Sequence, residues 1–476
     1  MLWLALYLPQ LPLEVFARGR QQAGALAIVE QQAGRERVSR CNAAALACGI
    51  RPGLALPAAL ALHAGLAVQA RDRGREQAAM QDLAAWAYQF SGRLSFDPSL
   101  LLLEVGASER LFGGLPRLLE HVRREADQLG HRVQLAVAPT PTAASLLARQ
   151  RPGQVVREPA GLAAAVSEIS VGYLTRDADT RELMRHLGLD SIGDALRLPR
   201  PELTRRTTPL LPRLLDRLLG DAPDPRVEWR PPGRFVQRIE LLGEIAQSTA
   251  LVFPARRLMV GLCGFLRGCG GGAQRLRWRL QHRDLPDSVF ELGLLDPSRD
   301  ADHMLEVFRE RIERLVLDAP VLAIGLQVDD WLPFEERSLG LFGDRQALDH
   351  GLLERLGNRL GEQRVSSLRC RADHRPEHAW QLCAPGDSVA GAPSSHHRVQ
   401  PPWLLAQPRP LDDHAGRPLY GGELLLEQPP QRIEAGWWDG QDVTRDYFVA
   451  RSPAGERLWV FKDRRGGGWY LHGLFM

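Results

Sequence analysis

The chain has 476 residues, of which 44% are hydrophobic and 25% charged; this globular composition excludes wholesale disorder and a coiled-coil rod, and the length predicts three to five domains. Lys and Arg total 60 against 57 Asp and Glu, a net charge of +3, which argues against a uniformly basic nucleic-acid binder but leaves room for a basic face balanced by acidic surface elsewhere. Lys462 is the only lysine; the arginine bias fits a GC-rich genome, and no Schiff-base or P-loop lysine precedes position 462.

In chain order, residues 1–9 read as a buried strand, an apolar run stopped by proline, and 25–29 as a second. Residues 41–49 read as an alanine-rich helix closed by Gly49, and 76–90 as an amphipathic helix. A strand at 100–105, a helix at 116–129 stopped by Gly130, a strand at 132–137 and a helix at 140–149 follow. This alternation predicts an α/β domain over 1–165. Residues 166–233 read as all-helical and arginine-rich. Within them, 184–199 form two short helices around a glycine turn. The backbone amides there, at Gly188 and Gly193, would face a phosphate as in a helix-hairpin-helix, although the pattern also fits an ordinary helical hairpin. The Pro-rich stretch 222–233 reads as a linker.

Residues 234–343 predict a βαββαβ unit: strand 235–245, helix 248–267, strands 274–283 and 288–295, helix 301–317, strand 321–330. Its charge divides along the sequence. Residues 234–284 hold nine Arg against three acids and residues 285–345 six Arg against fourteen, which predicts one polyanion-facing half and one compensating half. Residues 344–402 read as a helix (346–361) and a polar linker. Residues 403–476 regain strand character and hold Trp403, Trp437, Trp438, Trp459 and Trp469.

Six cysteines, at 41, 48, 263, 269, 370 and 383, form no CxxC pair and read as reduced thiols of a cytoplasmic protein. No apolar run approaches the ~18–20 residues of a membrane span, and Met1–Pro9 lacks the basic flank and cleavage site of a signal peptide. No membrane partner is expected. His374, His378 and the pair at 396–397 read as loop histidines rather than a metal site, because no Cys or carboxylate pattern completes one.

Two segments carry binding chemistry. In a strand over 274–283, Arg275, Arg277, Arg279 and Arg283 share one face with Gln281, while Leu276, Trp278 and Leu280 face a core. Such a row suits the phosphate backbone of DNA, read without sequence preference and with a salt-dependent affinity. A solvated strand face in an arginine-biased protein is the plainer alternative. The segment Ser338-Leu339-Gly340-Leu341-Phe342, in a polar tail, puts apolar anchors where loops are normally polar and suits an extended peptide filling a partner's pocket.

Several segments in this order carry a resemblance. MLWLALYLPQLPLEV at the N-terminus, CNAAALACGIRPGLAL (41–56), SERLFGG (108–114), LAVAPTPTAASLLARQRPG (135–153) and LGLDSIGDALRLP (187–199) resemble the Y-family, or translesion, DNA polymerases. GWWDG (436–440), RDYFVA (445–450) and GGGWYLHGLF (466–475) resemble the C-terminal region of the ImuB group. The resemblance implies a multidomain α+β and α/β right hand. Palm would cover 1–10 and 77–165, fingers 11–76, a helical thumb 166–233, a little finger 234–343 ending in a clamp-binding peptide, a helix and linker 344–402, and an interaction region 403–476.

Active family members hold two Mg²⁺ ions on palm carboxylates. Here the first-strand aspartate position is Tyr7 and the adjacent metal position Pro9; the second-strand Asp-Glu pair falls on Asp97-Pro98, or on Ser99-Leu100 in the other register. The triphosphate-binding Tyr and Arg of the fingers fall on Ala43 and Leu46, and the palm lysine near Ser145. The resemblance therefore implies the fold without the reaction: an adaptor with no metal cofactor that binds primer-template DNA, a sliding clamp through Ser338, Leu339, Leu341 and Phe342, a RecA-like ImuA protein and a separate error-prone replicative-type polymerase. The alternatives are an active Mg²⁺-dependent polymerase using Glu14, Asp97 and Glu104, and a DNA-binding scaffold without clamp contact.

Overall fold

The first strand is apolar on both faces, and both faces are covered. β1 (Trp3–Tyr7) lies in a four-stranded sheet of order β5 (Leu94–Asp97), β6 (Leu100–Glu104), β1, β7 (Gln134–Ala138). Alternate side chains point to opposite faces. Leu4, Leu6, Leu101, Leu103 and Val137 pack with α4 (Arg73–Ala87) and α5 (Leu115–Gln128); Trp3, Ala5, Leu100, Leu102 and Ala136 pack with α6 (Pro141–Gln150). The computed structural model describes residues 1–17, 24–32, 34–97, 99–175, 177–207, 209–334, 345–361, 364–385 and 400–475.

Every pairing in this sheet is antiparallel. β6 and β7 thus run parallel to each other with β1 between them, a split βαβ unit. Alternation sets the order of elements along the chain; it does not set which strand enters between two others.

Between β1 and α4 lie α1 (Leu11–Ala17), a three-stranded sheet of β2 (Leu26–Gln32), β3 (Arg35–Cys41) and β4 (Ala67–Ala70), and helices α2 (Ala43–Ala47) and α3 (Leu56–Leu62). The helix expected over 41–49 is thus only five residues long. Asn42 starts it: its side-chain oxygen accepts from Ala45 N at 2.9 Å and from Leu26 N at 3.0 Å, fastening the cap to β2. After α6 come α7 (Leu162–Val166), α8 (Ala178–His186), α9 (Ile192–Arg197), α10 (Arg200–Arg206) and α11 (Leu210–Leu219). Their apolar residues, among them Met184, Ile192, Leu203, Leu211 and Leu215, complete the core on the α6 side of the sheet.

The stretch 222–233 is no free spacer. Trp229 N donates to Leu94 O at 2.7 Å, Arg93 pairs with Glu228 at 2.9 Å, and Trp229 Nε1 donates to Gln81 at 2.7 Å. It runs along β5 and satisfies backbone that an edge strand otherwise leaves open.

The βαββαβ order holds over β8 (Phe235–Ile245), α12 (Val252–Cys269), β9 (Gly271–His282), β10 (Ser288–Ser298), α13 (Ala301–Ile312) and β11 (Val321–Val328). The sheet order is β10-β9-β11-β8, with β12 (Leu332–Pro333) on β9. Leu276, Trp278 and Leu280 of β9 meet Phe235, Phe265, Phe290 and Phe308 in the core. α12 is long and apolar enough to cross a membrane, against the expectation from the sequence, but two-thirds of its apolar window is buried inside the protein. It lies close against α4: a Cβ on Gly264 would stand 2.5 Å from Trp86 Cδ1, and one on Gly268 2.8 Å from the Tyr88 backbone. α12 and α13 pack on one face of the five-stranded sheet; on the other, Arg238, Arg275, Arg277 and Arg279 are exposed among the described residues. α14 (Arg345–Leu360) follows.

The chain divides into two units, Met1–Arg359 and Leu360–Met476. In the second, the strands at Trp403–Leu411, Trp469–Leu474, Arg457–Asp463, Val443–Arg451 and Leu425–Leu426 form an antiparallel sheet, with Gln431–Ala435 also pairing to Val443–Arg451. Trp459 and Trp469 are buried, whereas Trp403, Trp437 and Trp438 are exposed. The region read as polar linker over 344–402 contains a hairpin, Ser367–Cys370 with Trp380–Cys383. It also contains Arg375, buried and ion-paired with Asp373 at 2.8 Å and Asp439 at 2.6 Å. Ordered structure therefore extends well into that stretch.

Candidate functional site

β1 ends at Tyr7 and β5 at Asp97, and the last turns of α6 reach both. The Arg149 guanidinium lies 5.6 Å from the centre of the half-buried Tyr7 ring and donates to Asp97 Oδ1 at 3.0 Å. Arg226 stands 3.7 Å from Asp97 Oδ2. It also donates to Asp224 at 2.8 Å and to Thr142 Oγ1 at 3.0 Å. Asp224 in turn accepts from Thr142 N and Oγ1, at 3.1 and 2.7 Å, so a carboxylate caps the first turn of α6. Two carboxylates and two guanidiniums thus interlock at the end of the sheet. A cavity of 270 Å³ beside them is lined in part by Ser145, Tyr173 and Arg217. The Ser145 hydroxyl is buried without a hydrogen-bond partner among the described residues.

The remaining residues singled out for nucleotide chemistry are scattered. Pro9 O accepts from Arg40 Nε at 3.0 Å. Ala43 and Leu46 are exposed on α2, and Pro98 lies outside the described residues. Glu14 is buried, 2.9 Å from His131 Nδ1, and accepts from Arg132 N at 2.9 Å. Glu104 is buried at the other end of the sheet, opposite Trp3, and accepts from Leu2 N and Gly106 N at 3.0 and 3.1 Å. Glu14, Asp97 and Glu104 are therefore not brought together, and no group of three or more His, Cys, Asp or Glu with metal-site geometry occurs among the described residues.

The arginine row of β9 is placed as its alternation predicts. Arg275, Arg277, Arg279 and Arg283 are exposed, while Leu276, Trp278 and Leu280 are buried. Arg238 of β8 is exposed too, and its guanidinium donates to Gln281. The charge separation read along the sequence does not survive folding. Register sets Arg277 opposite Glu291, at 2.8 Å, and Asp329 lies 3.7 Å from the same guanidinium. Arg279 pairs with Asp287 at 3.3 Å, Arg283 with Glu244 at 2.5 Å, and Arg238 with Glu240 at 3.5 Å. Asp287, Glu291 and Asp329 come from the acid-rich half, and Glu240 and Glu244 from the basic half itself.

The glycine turn also differs from its expectation. Gly193 is buried and its N donates to Ser167 O at 2.8 Å; Gly188 N donates to Arg185 O at 3.1 Å. Both amides already donate to backbone carbonyls, Gly193 in the interior and Gly188 at the surface. Gly193 is small because a Cβ there would stand 2.9 Å from the Ser167 carbonyl oxygen. Ser338, Leu339, Leu341 and Phe342 lie outside the described residues.

Residues 16–149 match the family described as impB/mucB/samB. The chain is 27% identical over 459 residues to Protein ImuB of Caulobacter vibrioides strain NA1000 / CB15N, an alignment that covers 90% of this chain and 100% of that protein. Among solved structures, DinB from Sulfolobus solfataricus is similar at 13% identity and a TM-score of 0.37, and a DinB family error-prone DNA polymerase from the same organism at 14% and 0.38; each covers 70% of this chain and 100% of its own.

The match to the impB/mucB/samB family ends at Arg149, so Asp224 and Arg226 reach the cluster around Asp97 from beyond it. Sequence reasoning missed Arg149, Thr142, Asp224 and Arg226. The first two sit in a segment already tied to the triphosphate region by resemblance, where an arginine about one helical turn from Ser145 was the available signal. The last two sit among prolines, and nothing local separates an arginine that folds back from one in a spacer.

Proposed function

We propose that this chain is a non-catalytic, DNA- and clamp-binding adaptor of error-prone translesion synthesis in damage-induced mutagenesis. The similarity to Protein ImuB over the whole length of that protein supports the setting. The observation that carries the loss of catalysis is the Asp97 carboxylate, already shared by Arg149 and Arg226, beside a phenol at position 7. Mg²⁺ in a polymerase needs near-octahedral oxygen ligands from carboxylates free to bind it. Tyr7 and an Asp97 held by two guanidiniums do not fit a pair of such ions, and no step is assigned to them. Palm, fingers, thumb and little finger then correspond to the four-stranded sheet, the three-stranded sheet with α2 and α3, the segment α7–α11, and the five-stranded sheet.

In this reading the exposed arginine face of the five-stranded sheet meets primer-template DNA through Arg275, Arg277, Arg279 and Arg283. The peptide Ser338–Phe342 docks on a sliding clamp. Residues 403–476 meet a RecA-like ImuA protein and the error-prone polymerase that performs the synthesis. The setting is the cytoplasm. Primer extension is the test: purified protein with Mg²⁺ should extend no primer alone and should stimulate the separate polymerase. Extension by the protein alone, abolished in Asp97→Ala, would overturn the adaptor reading. Leu341→Ala/Phe342→Ala should weaken clamp binding by a few kcal/mol, as loss of two pocket anchors does; unchanged binding would remove that peptide from the interface.

A further inference from the structure

We propose that the carboxylates of the five-stranded sheet are built-in competitors of DNA: they hold the arginines of the binding face until phosphates displace them, and so keep the grip weak and exchangeable. This rests on the reading of that face as the DNA surface and adds what limits its affinity. Four of the five arginines on the face have a protein carboxylate within 3.5 Å. Arg275 alone has no ion pair among the described residues, opposite Gly293, which carries no side chain.

The pairs are exposed, with side chains between about one-third and two-thirds accessible. Exposed pairs contribute little to stability, so their presence needs another explanation than holding the fold. A phosphate offers each guanidinium the same bidentate geometry as a carboxylate, and DNA replaces one partner by the other. The displaced Glu291 or Glu244 does not leave. It stays on the sheet beside the incoming phosphate, unpaired and of like charge, and must collect a cation from solution. That uptake subtracts from the counterions DNA releases, so both the affinity and its salt dependence fall below what five arginines alone would give. The trough at Gly325 sharpens the geometry: it lies between Arg238 and Arg279 on adjacent strands with no side chain to separate their guanidiniums from an approaching backbone.

The experiment uses the full chain and a fluorescein-labelled primer-template duplex, with anisotropy titrations from 50 to 300 mM salt. Glu244→Gln/Glu291→Gln should bind about tenfold more tightly at 150 mM salt, with a slope of log affinity against log salt steeper by roughly one to two. Asp329→Asn, outside the strands, should give a smaller gain in the same direction and covers the case in which the sheet variant folds poorly. Unchanged affinity and slope in these variants, while Arg277→Ala/Arg279→Ala weakens binding, would overturn the competition and leave the DNA face standing. No change in either set would remove the DNA face itself.

Discussion

The cluster around Asp97 and the exposed arginine face of the five-stranded sheet are built from the same two groups, guanidinium and carboxylate, and use them differently. In the cluster, Asp97, Arg149, Asp224 and Arg226 have side chains at most about one-quarter accessible. On the arginine face, Arg277, Arg279 and Arg283 are nearly half to two-thirds accessible and meet one or two carboxylates each. Desolvation decides the difference. A pair drawn out of water is strong against loss of either member, because the survivor is left uncompensated; a pair in water is easily exchanged. The first arrangement fixes the linker and α6 at the end of the four-stranded sheet. The second leaves a surface that another anion can enter.

The sharpest test is therefore a pair of single substitutions. Arg226→Ala takes one of its two guanidiniums from Asp97 and the ion-pair partner from the buried Asp224, and removes a donor from Thr142, with an expected loss of about 2–3 kcal/mol. Arg277→Ala should change stability by less than about 0.5 kcal/mol. Urea unfolding of the two variants compares them directly, and similar losses would break the distinction between a structural cluster and an exchangeable one. Asp224→Asn combined with Arg226→Ala should cost less than the sum of the single changes, since the second removes a charge the first has orphaned.

Next in size is the face itself. Arg275→Ala/Arg277→Ala/Arg279→Ala should leave the unfolding midpoint in place and weaken DNA binding by roughly tenfold or more, about 1.4 kcal/mol per factor of ten. Its salt slope should flatten by up to about three, one per lost phosphate contact. A variant that unfolds early but binds with an unchanged slope would reverse the assignment of the two arginine clusters.

How much of this was legible in the sequence depends on the range of the interaction. The βαββαβ unit and the outward arginines of β9 follow from local alternation of apolar and charged residues, and they stand where that alternation puts them. The antiparallel pairing of β1 between β6 and β7 is set by partners about a hundred residues away. Alternation along the chain is blind to it. The charge of the sheet face was misread for the same reason: Glu291 stands opposite Arg277 in the register of β9 and β10, and Glu244 reaches Arg283 from β8, two places across the sheet. Tyr7 and Asp97 could be placed by resemblance, but the arginines beside Asp97 come from a helix and from a proline-rich strap, and only the fold brings Arg226 back.

The smallest expected effect separates the two units by pH. His472 is buried, accepts or donates at 2.7 Å with Tyr447 OH, and lies 4.0 Å from Glu377, while Arg445 contacts both Tyr447 and Glu377. Burial holds its imidazole below the ordinary value of 6.5. The unfolded chain therefore takes up the proton first, so this contribution to stability is complete above about pH 6.5 and is lost as pH falls through the folded value. His303 in the first unit is the opposite case. Its bond to Glu354, at 2.8 Å, raises it, so its contribution is complete below about pH 6.5 and is lost as pH rises through the folded value. Acidification from pH 7.5 to 5.5 should thus lower the melting of the 360–476 unit relative to that of residues 1–359, by an amount on the order of a few degrees. Scanning calorimetry with tryptophan fluorescence separates the two, because Trp459 stacks within 5.9 Å of His472. His472→Gln should flatten the fluorescence-detected shift; a shift of the same size in that variant would assign the pH dependence to another group.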